Sequence, residues 1–205
     1  GRHARWLDSL VLLVAPIYNA DGNERVSLTN RAPQLGPIGG QGQRANAAGL
    51  DLNRDHMKLE TSEARSQVML FRNYDPHVAY DLHTTDGSVH GYHLTYAEPL
   101  HPATDSAITN LLRGRWFPAV TLRIKQADNW DMFYYGNLAD TPVDRGGGGQ
   151  EGGWYSFDHR PRFSENYWGL RNRVGILSEA YSYATFEDRI NATRRFVEEG
   201  LDYAY

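Results

Sequence analysis

The chain contains no cysteine, which excludes disulfides, thiolate metal sites and a cysteine nucleophile. Any metal ion must therefore be bound by histidine, aspartate or glutamate. The sequence also lacks a block of like charges, and its net charge is -4, which argues against a nucleic-acid partner. The longest apolar run, 10–17, contains Pro16 and is too short to cross a membrane, so no membrane partner is expected.

Length and composition predict a single soluble globular domain over residues 1–205. With 205 residues, of which 40% are hydrophobic and 22% charged, the chain can bury a sizeable core. It starts at Gly1, shortly before a predicted strand, so we expect the domain to be partial, without its N-terminal segment.

Hydrophobic patterns predict strands that alternate with helices. Strands are predicted at Leu10–Tyr18, Val78–His83, Tyr92–Tyr96 and Val174–Glu179. Helices are predicted at Thr61–Tyr74, at Thr104–Trp116 and after a capping box at Thr185 and Asp188. The last helix is expected to carry its apolar residues on one face: Phe186, Ile190, Val197 and Leu201. A turn at 19–22 and two long stretches without periodicity, 23–56 and the Gly-rich 136–165, complete the chain.

This alternation of elements predicts an α/β fold with a largely parallel sheet. In such sheets, functional sites form in the crevice at the carboxyl ends of the strands. Asp81 and His83 end one predicted strand, and Glu179 ends another. We therefore expect these three side chains at the same edge of the sheet.

The loop from Arg44 to Asp55 is a candidate carboxylate receptor. It carries Arg44, Asn53 and Arg54, and a guanidinium group can bind a carboxylate through two parallel hydrogen bonds. By composition alone, a solvated loop with surface arginines is the alternative.

Three further positions suit catalysis or metal binding. His83, at the end of a buried strand, could hold a metal ion, or it could be an ordinary core or surface histidine. Glu179 also ends an apolar strand, where burial would raise its pKa towards that of a general base; pairing with a buried arginine is the alternative. The pair His90 and His93 is a weaker metal candidate, because the two rings of a strand at this spacing point to opposite faces.

Four motifs together resemble the zinc carboxypeptidase family, in the carboxypeptidase A-like group. Residues 47–55 (AAGLDLNRD) resemble the "NGVDLNRN" segment, and residues 19–22 (NADG) resemble the "NPDG" turn. Residues 81–83 (DLH) resemble the strand end that bears the third zinc ligand, and Glu179 falls at the position of the catalytic glutamate. The motifs follow the family's order over nearly the whole chain, and the resemblance implies a three-layer α/β/α sandwich around a twisted, mostly parallel mixed sheet.

The resemblance also implies the catalytic roles. His83 would be a ligand of the single zinc ion, and Glu179 would be the general base that acts on the zinc-bound water. Arg44 would polarise the scissile carbonyl and stabilise the oxyanion.

Substrate contacts are implied in the same way. Asn53 and Arg54 would hold the terminal carboxylate of a peptide substrate, and Asp51 would orient a histidine ligand of the metal. Either Tyr155 or Tyr167 could be the tyrosine that covers the substrate, and we take Tyr155 as the candidate.

The sequence departs from the family at the metal site. None of its eight histidines begins the His-x-x-Glu motif that supplies the first two zinc ligands, so the resemblance assigns only His83. Tyr181 stands where the carboxypeptidase A branch has an arginine, two residues after the glutamate. We therefore expect this chain alone to lack zinc at His83 and to be inactive, and its truncated sheet edge could favour self-association.

The sequence thus predicts a metallocarboxypeptidase that removes C-terminal residues from peptides with a free terminal carboxylate. The alternative is a carboxylate- or peptide-binding fragment without a functional metal centre. A serine esterase is disfavoured, because Asp86 stands where the first glycine of a Gly-x-Ser-x-Gly elbow should precede Ser88. The compartment stays open, with a secreted or periplasmic location favoured.

Overall fold

The computed structural model describes residues 3–31, 34, 36–138 and 153–205. Its α-helices are α1 Trp6–Ser9, α2 Ala20–Glu24, α3 Ser62–Tyr74, α4 Ser106–Leu111, α5 Phe117–Asp128, α6 Ser164–Leu170 and α7 Phe186–Ala204. Its strands are β1 Val78–Thr84, β2 Leu94–Ala97, β3 Met132–Tyr134, β4 Asn137–Leu138, β5 Trp154–Tyr155 and β6 Val174–Ala180. A 3₁₀ turn at Leu52–Arg54 and a π-helical turn at Leu112–Trp116 complete the regular elements.

A four-stranded mixed sheet in the order β1-β6-β2-β3 organises the chain. β1 pairs with β6 and β2 pairs with β3 in parallel, whereas β6 and β2 are antiparallel. Helices cover both sides of the sheet. The predicted α/β fold with a mostly parallel mixed sheet is therefore confirmed.

The main hydrophobic core lies where β2 and β6 meet α5 and α7. Its members are buried apolar side chains from these elements, among them Leu94, Phe117, Ile124, Ile176 and Phe196. Full burial of each such side chain stabilises the fold by roughly 1.5–3 kcal/mol. The central strands are buried on both faces, which explains why their sequences read as continuous apolar runs.

The predicted start of α3 is confirmed and the predicted face of α7 is partly wrong. Thr61 caps α3 by accepting a hydrogen bond from the Ala64 amide at 3.2 Å. In α7, Phe186 and Ile190 are about half exposed, whereas Phe196 is buried. The reason is that the face of α7 that packs on the sheet is centred on Phe196 and its neighbours, and the first apolar residues face a cavity instead.

The predicted strand Leu10–Tyr18 is wrong. This run forms no strand, and Val11 and Val14 are 86% and 82% exposed. No described strand lies beside it to accept its backbone hydrogen bonds, so its apolar pattern alone does not produce a sheet. The predicted turn that follows is instead the start of α2, where the Asn19 side chain accepts from the Gly22 amide at 2.9 Å.

The predicted helix Thr104–Trp116 is longer in the structure. It continues through the π-helical turn into α5, because Pro118 lies in the first turn of α5, where a missing amide costs little. Within the Gly-rich stretch 136–165, residues 137–138 (β4) pair with residues 154–155 (β5) in antiparallel fashion. Residues 139–152, with Gly146–Gly149, lie outside the described residues. Among the helices that are described, none has the length and apolarity needed to span a membrane.

Asp55 anchors the connection from the loop Arg44–Asp55, the candidate carboxylate receptor, to α3. Its buried carboxylate accepts hydrogen bonds from the amides of Glu60 (2.9 Å) and Thr61 (2.8 Å) and from the Thr61 hydroxyl (2.7 Å). Burial opposes the charge, but these hydrogen bonds lower the pKa of Asp55 below its ordinary value.

We expect Asp55→Asn to lower the free energy of unfolding by about 1–3 kcal/mol, because an amide has one acceptor oxygen for three donors. Since the folded pKa of Asp55 is depressed, the stabilisation is present above the unfolded pKa and is lost as pH falls through the folded one. The difference between variant and wild type in urea unfolding should therefore shrink in strong acid. Asp8→Asn, at an exposed position, is the control; equal stability of Asp55→Asn and wild type at pH 7 would contradict this role.

Candidate active site

A cavity of about 1480 Å³ opens at the carboxyl ends of β1 and β6. Its walls come from the loop before α3, from these strand ends, from residues 155–163 and from the first half of α7. Six of the seven predicted site residues line it: Arg44, Asn53, Arg54, His83, Tyr155 and Glu179. The seventh, Asp51, accepts hydrogen bonds from two of these, Arg44 and Asn53, so the structure brings the predicted residues together.

The pairing of β1 with β6 positions the central residues. The two strands are parallel, and His83 is the register partner of Glu179. Side chains of register partners point to the same face of a sheet, so both enter the cavity from its floor.

Glu179 is buried, with 8% of its surface exposed, and its Oε2 atom has no hydrogen-bond partner among the described residues. Burial raises the pKa of Glu179 to about 7, with further increases from Asp81 and Asp86 and an opposing effect from His83. No described arginine forms an ion pair with Glu179, so the structure does not favour the alternative of a buried ion pair. A carboxyl group with this pKa can accept and return a proton near neutral pH.

His83 is held by a neighbouring carboxylate. Its Nε2 atom lies 3.0 Å from Asp81 Oδ1, and Asp81 also accepts a hydrogen bond from the Ser164 hydroxyl. Burial opposes the charge on His83, but Asp81 outweighs burial and raises the pKa of the imidazole well above its ordinary value. A metal ligand must be a neutral imidazole, so the Asp81 carboxylate, which favours the protonated ring, opposes metal binding by His83.

Glu165, which the sequence analysis missed, adds a further carboxyl group to the cavity. Glu165 is 1% exposed, its Oε2 atom lies 3.2 Å from the Ser164 hydroxyl oxygen, and its Oε1 atom has no hydrogen-bond partner among the described residues. Burial, followed by the charge of Asp81, raises the pKa of Glu165 to about 8. The only signal in the sequence was a glutamate between the bulky side chains of Phe163 and Trp168.

Arg44 is oriented by Asp51. The Arg44 Nε atom donates to Asp51 Oδ2 at 2.8 Å, and Asp51 Oδ1 accepts from the Asn53 amide at 3.0 Å. The Arg44 carbonyl in turn accepts from the Asn19 side chain at 2.9 Å. In the structure, Asp51 thus fixes an arginine and the following 3₁₀ turn.

Arg54 lies over an aromatic ring at the cavity wall. Its Cζ atom is 4.5 Å from the centroid of the Phe163 ring, and its Nη1 atom donates to the Asn53 carbonyl at 2.7 Å. Stacking on the ring restricts the guanidinium plane, which favours bidentate binding of a carboxylate.

The structure separates the two candidate tyrosines. Tyr155 lies in β5 and lines the cavity, with 39% of its surface exposed. Tyr167 packs 5.8 Å from the His56 ring, and the Arg171 guanidinium stacks on it at 5.7 Å.

The described residues do not fit a catalytic zinc ion. Such an ion needs three protein ligands, and no group of three histidine, aspartate or glutamate side chains in the described part of the chain could hold a metal. His90 packs on Tyr181 at 4.6 Å and His93 stacks on Trp130 at 5.7 Å, so this pair does not form a site either.

Comparisons with known proteins find partial matches to proteins named as carboxypeptidases. No protein-family profile matches the chain. It is 34% identical over 80 residues to carboxypeptidase 2 from Trichophyton rubrum and from Trichophyton tonsurans. The match covers 39% of this chain but only 12% of each fungal protein.

Solved structures give a wider match. Metallo-carboxypeptidases from Burkholderia cenocepacia (TM-score 0.55, 13% identity) and Pseudomonas aeruginosa (TM-score 0.56, 14% identity) share the fold over 82% of this chain and 43% of theirs. The second was solved in complex with (2-guanidinoethylmercapto)succinic acid. The expected resemblance to carboxypeptidases is therefore borne out, in fold over most of the chain and in sequence over 80 residues.

Proposed function

We propose that the chain forms part of a carboxypeptidase, in which the cavity binds the C-terminal end of a peptide. One observation carries this proposal. The same cavity contains Arg44 and Arg54, from the loop Arg44–Asp55, and the buried carboxyl group of Glu179. The loop recognises a free terminal carboxylate, and Glu179 moves protons at the adjacent peptide bond.

Recognition of the terminal carboxylate depends on Asn53 and Arg54. Arg54 can donate two parallel hydrogen bonds to the two carboxylate oxygens, and the side-chain amide group of Asn53 can donate a third. Phe163 supports the guanidinium from behind. An amidated terminus lacks the negative charge that such a receptor requires.

Bond cleavage depends on Glu179 and Arg44. Glu179 accepts a proton from the attacking water, whose oxygen adds to the scissile carbonyl carbon; when the C–N bond breaks, Glu179 returns the proton to the leaving amine. Asp51 fixes Arg44 through Nε, so the terminal amino groups of Arg44 can bind the oxyanion. Tyr155 contacts the substrate from the cavity wall.

Of the ligands of the zinc ion implied by the resemblance, this chain would supply one, His83. A second candidate function follows from this: the chain binds carboxylate-terminated peptides but does not cleave them by itself. The observation in favour is that the described residues contain no group of three metal ligands.

A first test compares peptides that differ only at the terminus. We expect a free-acid peptide to bind the chain about tenfold or more tightly than its C-terminal amide, because the amide loses a charged hydrogen-bond partner. Arg54→Ala should remove most of this difference, as measured by calorimetry. Arg72→Ala, an exposed arginine on α3, is the matched control and should bind like the wild type. Equal affinity of wild type for acid and amide would reject the proposal.

Glu179→Gln tests the proton-transfer role in the whole carboxypeptidase. We expect kcat for peptide hydrolysis to fall by roughly a hundredfold or more, with little change in the Kd of a free-acid peptide, because the amide cannot accept the proton. Single-turnover kinetics and calorimetry separate the two effects. A variant that keeps near-normal kcat would exclude Glu179 from the chemistry.

Metal analysis separates the two candidate functions for the chain alone. After incubation with zinc and dialysis, we expect less than stoichiometric zinc, no difference between wild type and His83→Ala, and no peptide hydrolysis, because one imidazole binds zinc weakly. One zinc ion per chain that is lost in His83→Ala would show instead that the chain assembles a metal site around this residue.

A further inference from the structure

Three buried polar side chains form a hydrogen-bonded network that ends at the cavity. The Ser88 hydroxyl donates to Asn137 Oδ1, and Asn137 Nδ2 donates to the Tyr135 hydroxyl oxygen at 3.2 Å. All three residues are buried, and Asn137 and Tyr135 line the cavity. Buried polar groups cost folding free energy unless they are hydrogen-bonded, so these bonds hold the Tyr135 phenol in one orientation.

The direction of these bonds leaves the hydroxyl proton of Tyr135 for another acceptor. The Asn137 amide occupies a lone pair of the phenol oxygen, so the proton points away from Asn137. In the part of the chain that the structure describes, no acceptor for this proton lies within hydrogen-bonding distance. Burial raises the pKa of Tyr135, and the charge of Glu179 raises it further, so the phenol keeps its proton and is a donor.

Packing holds the Tyr135 ring on the side of the sheet that carries Glu179. Leu177 and Glu179 are two residues apart in β6, so their side chains point to the same face. Tyr135 packs against Leu177, and its ring centroid lies 5.9 Å from that of Phe157. Because Tyr135, Leu177 and Glu179 all line the cavity, the phenol and the carboxyl group share one wall of it.

A purely structural role for Tyr135 requires only its ring. The ring fills the space beside Leu177 and Phe157, which a phenylalanine would fill as well. Ser88 and Asn137 contribute polar atoms to this buried region, and their bonds serve to orient the Tyr135 hydroxyl. The network therefore indicates a function for the hydroxyl group and not for the ring alone.

We propose that Tyr135 is a further catalytic residue, whose hydroxyl donates a hydrogen bond to the scissile carbonyl oxygen and to the oxyanion that this oxygen becomes. This inference rests on the proposed function, in which Glu179 moves the protons and Arg44 binds the oxyanion. Tyr135 transfers no proton; it supplies a second, neutral donor that is already in place when the charge develops. Ser88 and Asn137 are positioning residues for this donor.

The test uses Tyr135→Phe in the whole carboxypeptidase. We expect kcat for peptide hydrolysis to fall roughly a hundredfold with little change in KM, the scale of one lost oxyanion donor. The Ki of a peptide analogue with a phosphonate in place of the scissile amide should rise by a similar factor, because its tetrahedral oxygens resemble the oxyanion. Calorimetry should show an unchanged Kd for a free-acid peptide.

Two further variants separate the hydroxyl from the fold. Tyr134→Phe removes the hydroxyl of the next residue, which is not among the described residues that line the cavity, and should behave like wild type. In Ser88→Ala the Asn137 amide is free to reverse and accept the Tyr135 proton. We therefore expect kcat to fall in Ser88→Ala as well, although the Tyr135 hydroxyl is present.

Normal kcat and normal phosphonate affinity in Tyr135→Phe would overturn the inference and would show that Asn137 already accepts the proton in the reversed orientation. An equal loss of affinity for the phosphonate and for the free-acid peptide would also overturn it, because a distorted cavity weakens both. Equal binding of acid and amide peptides by wild type rejects the proposed function instead. An active wild type that prefers the free acid, together with an unaffected Tyr135→Phe, rejects only the role of Tyr135.

Discussion

The parallel pairing of β1 with β6 is the constraint on which the site depends. It makes His83 and Glu179 neighbours in register, although they are far apart in sequence, and it ends both strands at the same edge of the sheet. A shift of one residue in this register would turn one of the two side chains to the opposite face. The hydrophobic core, which includes Ile176 of β6 and contacts Tyr80 of β1, stabilises this register, and the register determines the geometry of the cavity floor.

Removal from water explains the chemistry of this floor. Glu165 and Glu179 are buried and Asp81 and His83 are partly buried, and in this region each charge acts on the others. Asp81 and His83 each favour the charged form of the other, whereas burial raises the pKa values of the two glutamates towards neutrality. Such a group of side chains costs folding free energy and has no evident structural benefit, which is typical of residues retained for function.

The sequence predicted features that depend on local pattern and missed those that depend on surroundings. The cap Thr61 and the strand end Glu179 were predictable, because capping chemistry and apolar strand runs are local signals. The run 10–18 was not, because apolarity does not reveal whether a neighbouring strand exists. Glu165 and Arg189 were missed for the opposite reason, since a charged residue on a helix is read as solvent-facing unless its neighbours are known.

The segments that leave β1 and β6 are joined to each other beyond the sheet. The Thr85 amide donates to the Ala180 carbonyl at 2.9 Å, and the Thr85 hydroxyl accepts from the Ser182 amide at 2.9 Å. Farther out, the Tyr183 hydroxyl donates to the Gly87 carbonyl at 3.0 Å. These bonds fasten the two exits to each other, so neither exit can move far without breaking hydrogen bonds to the other.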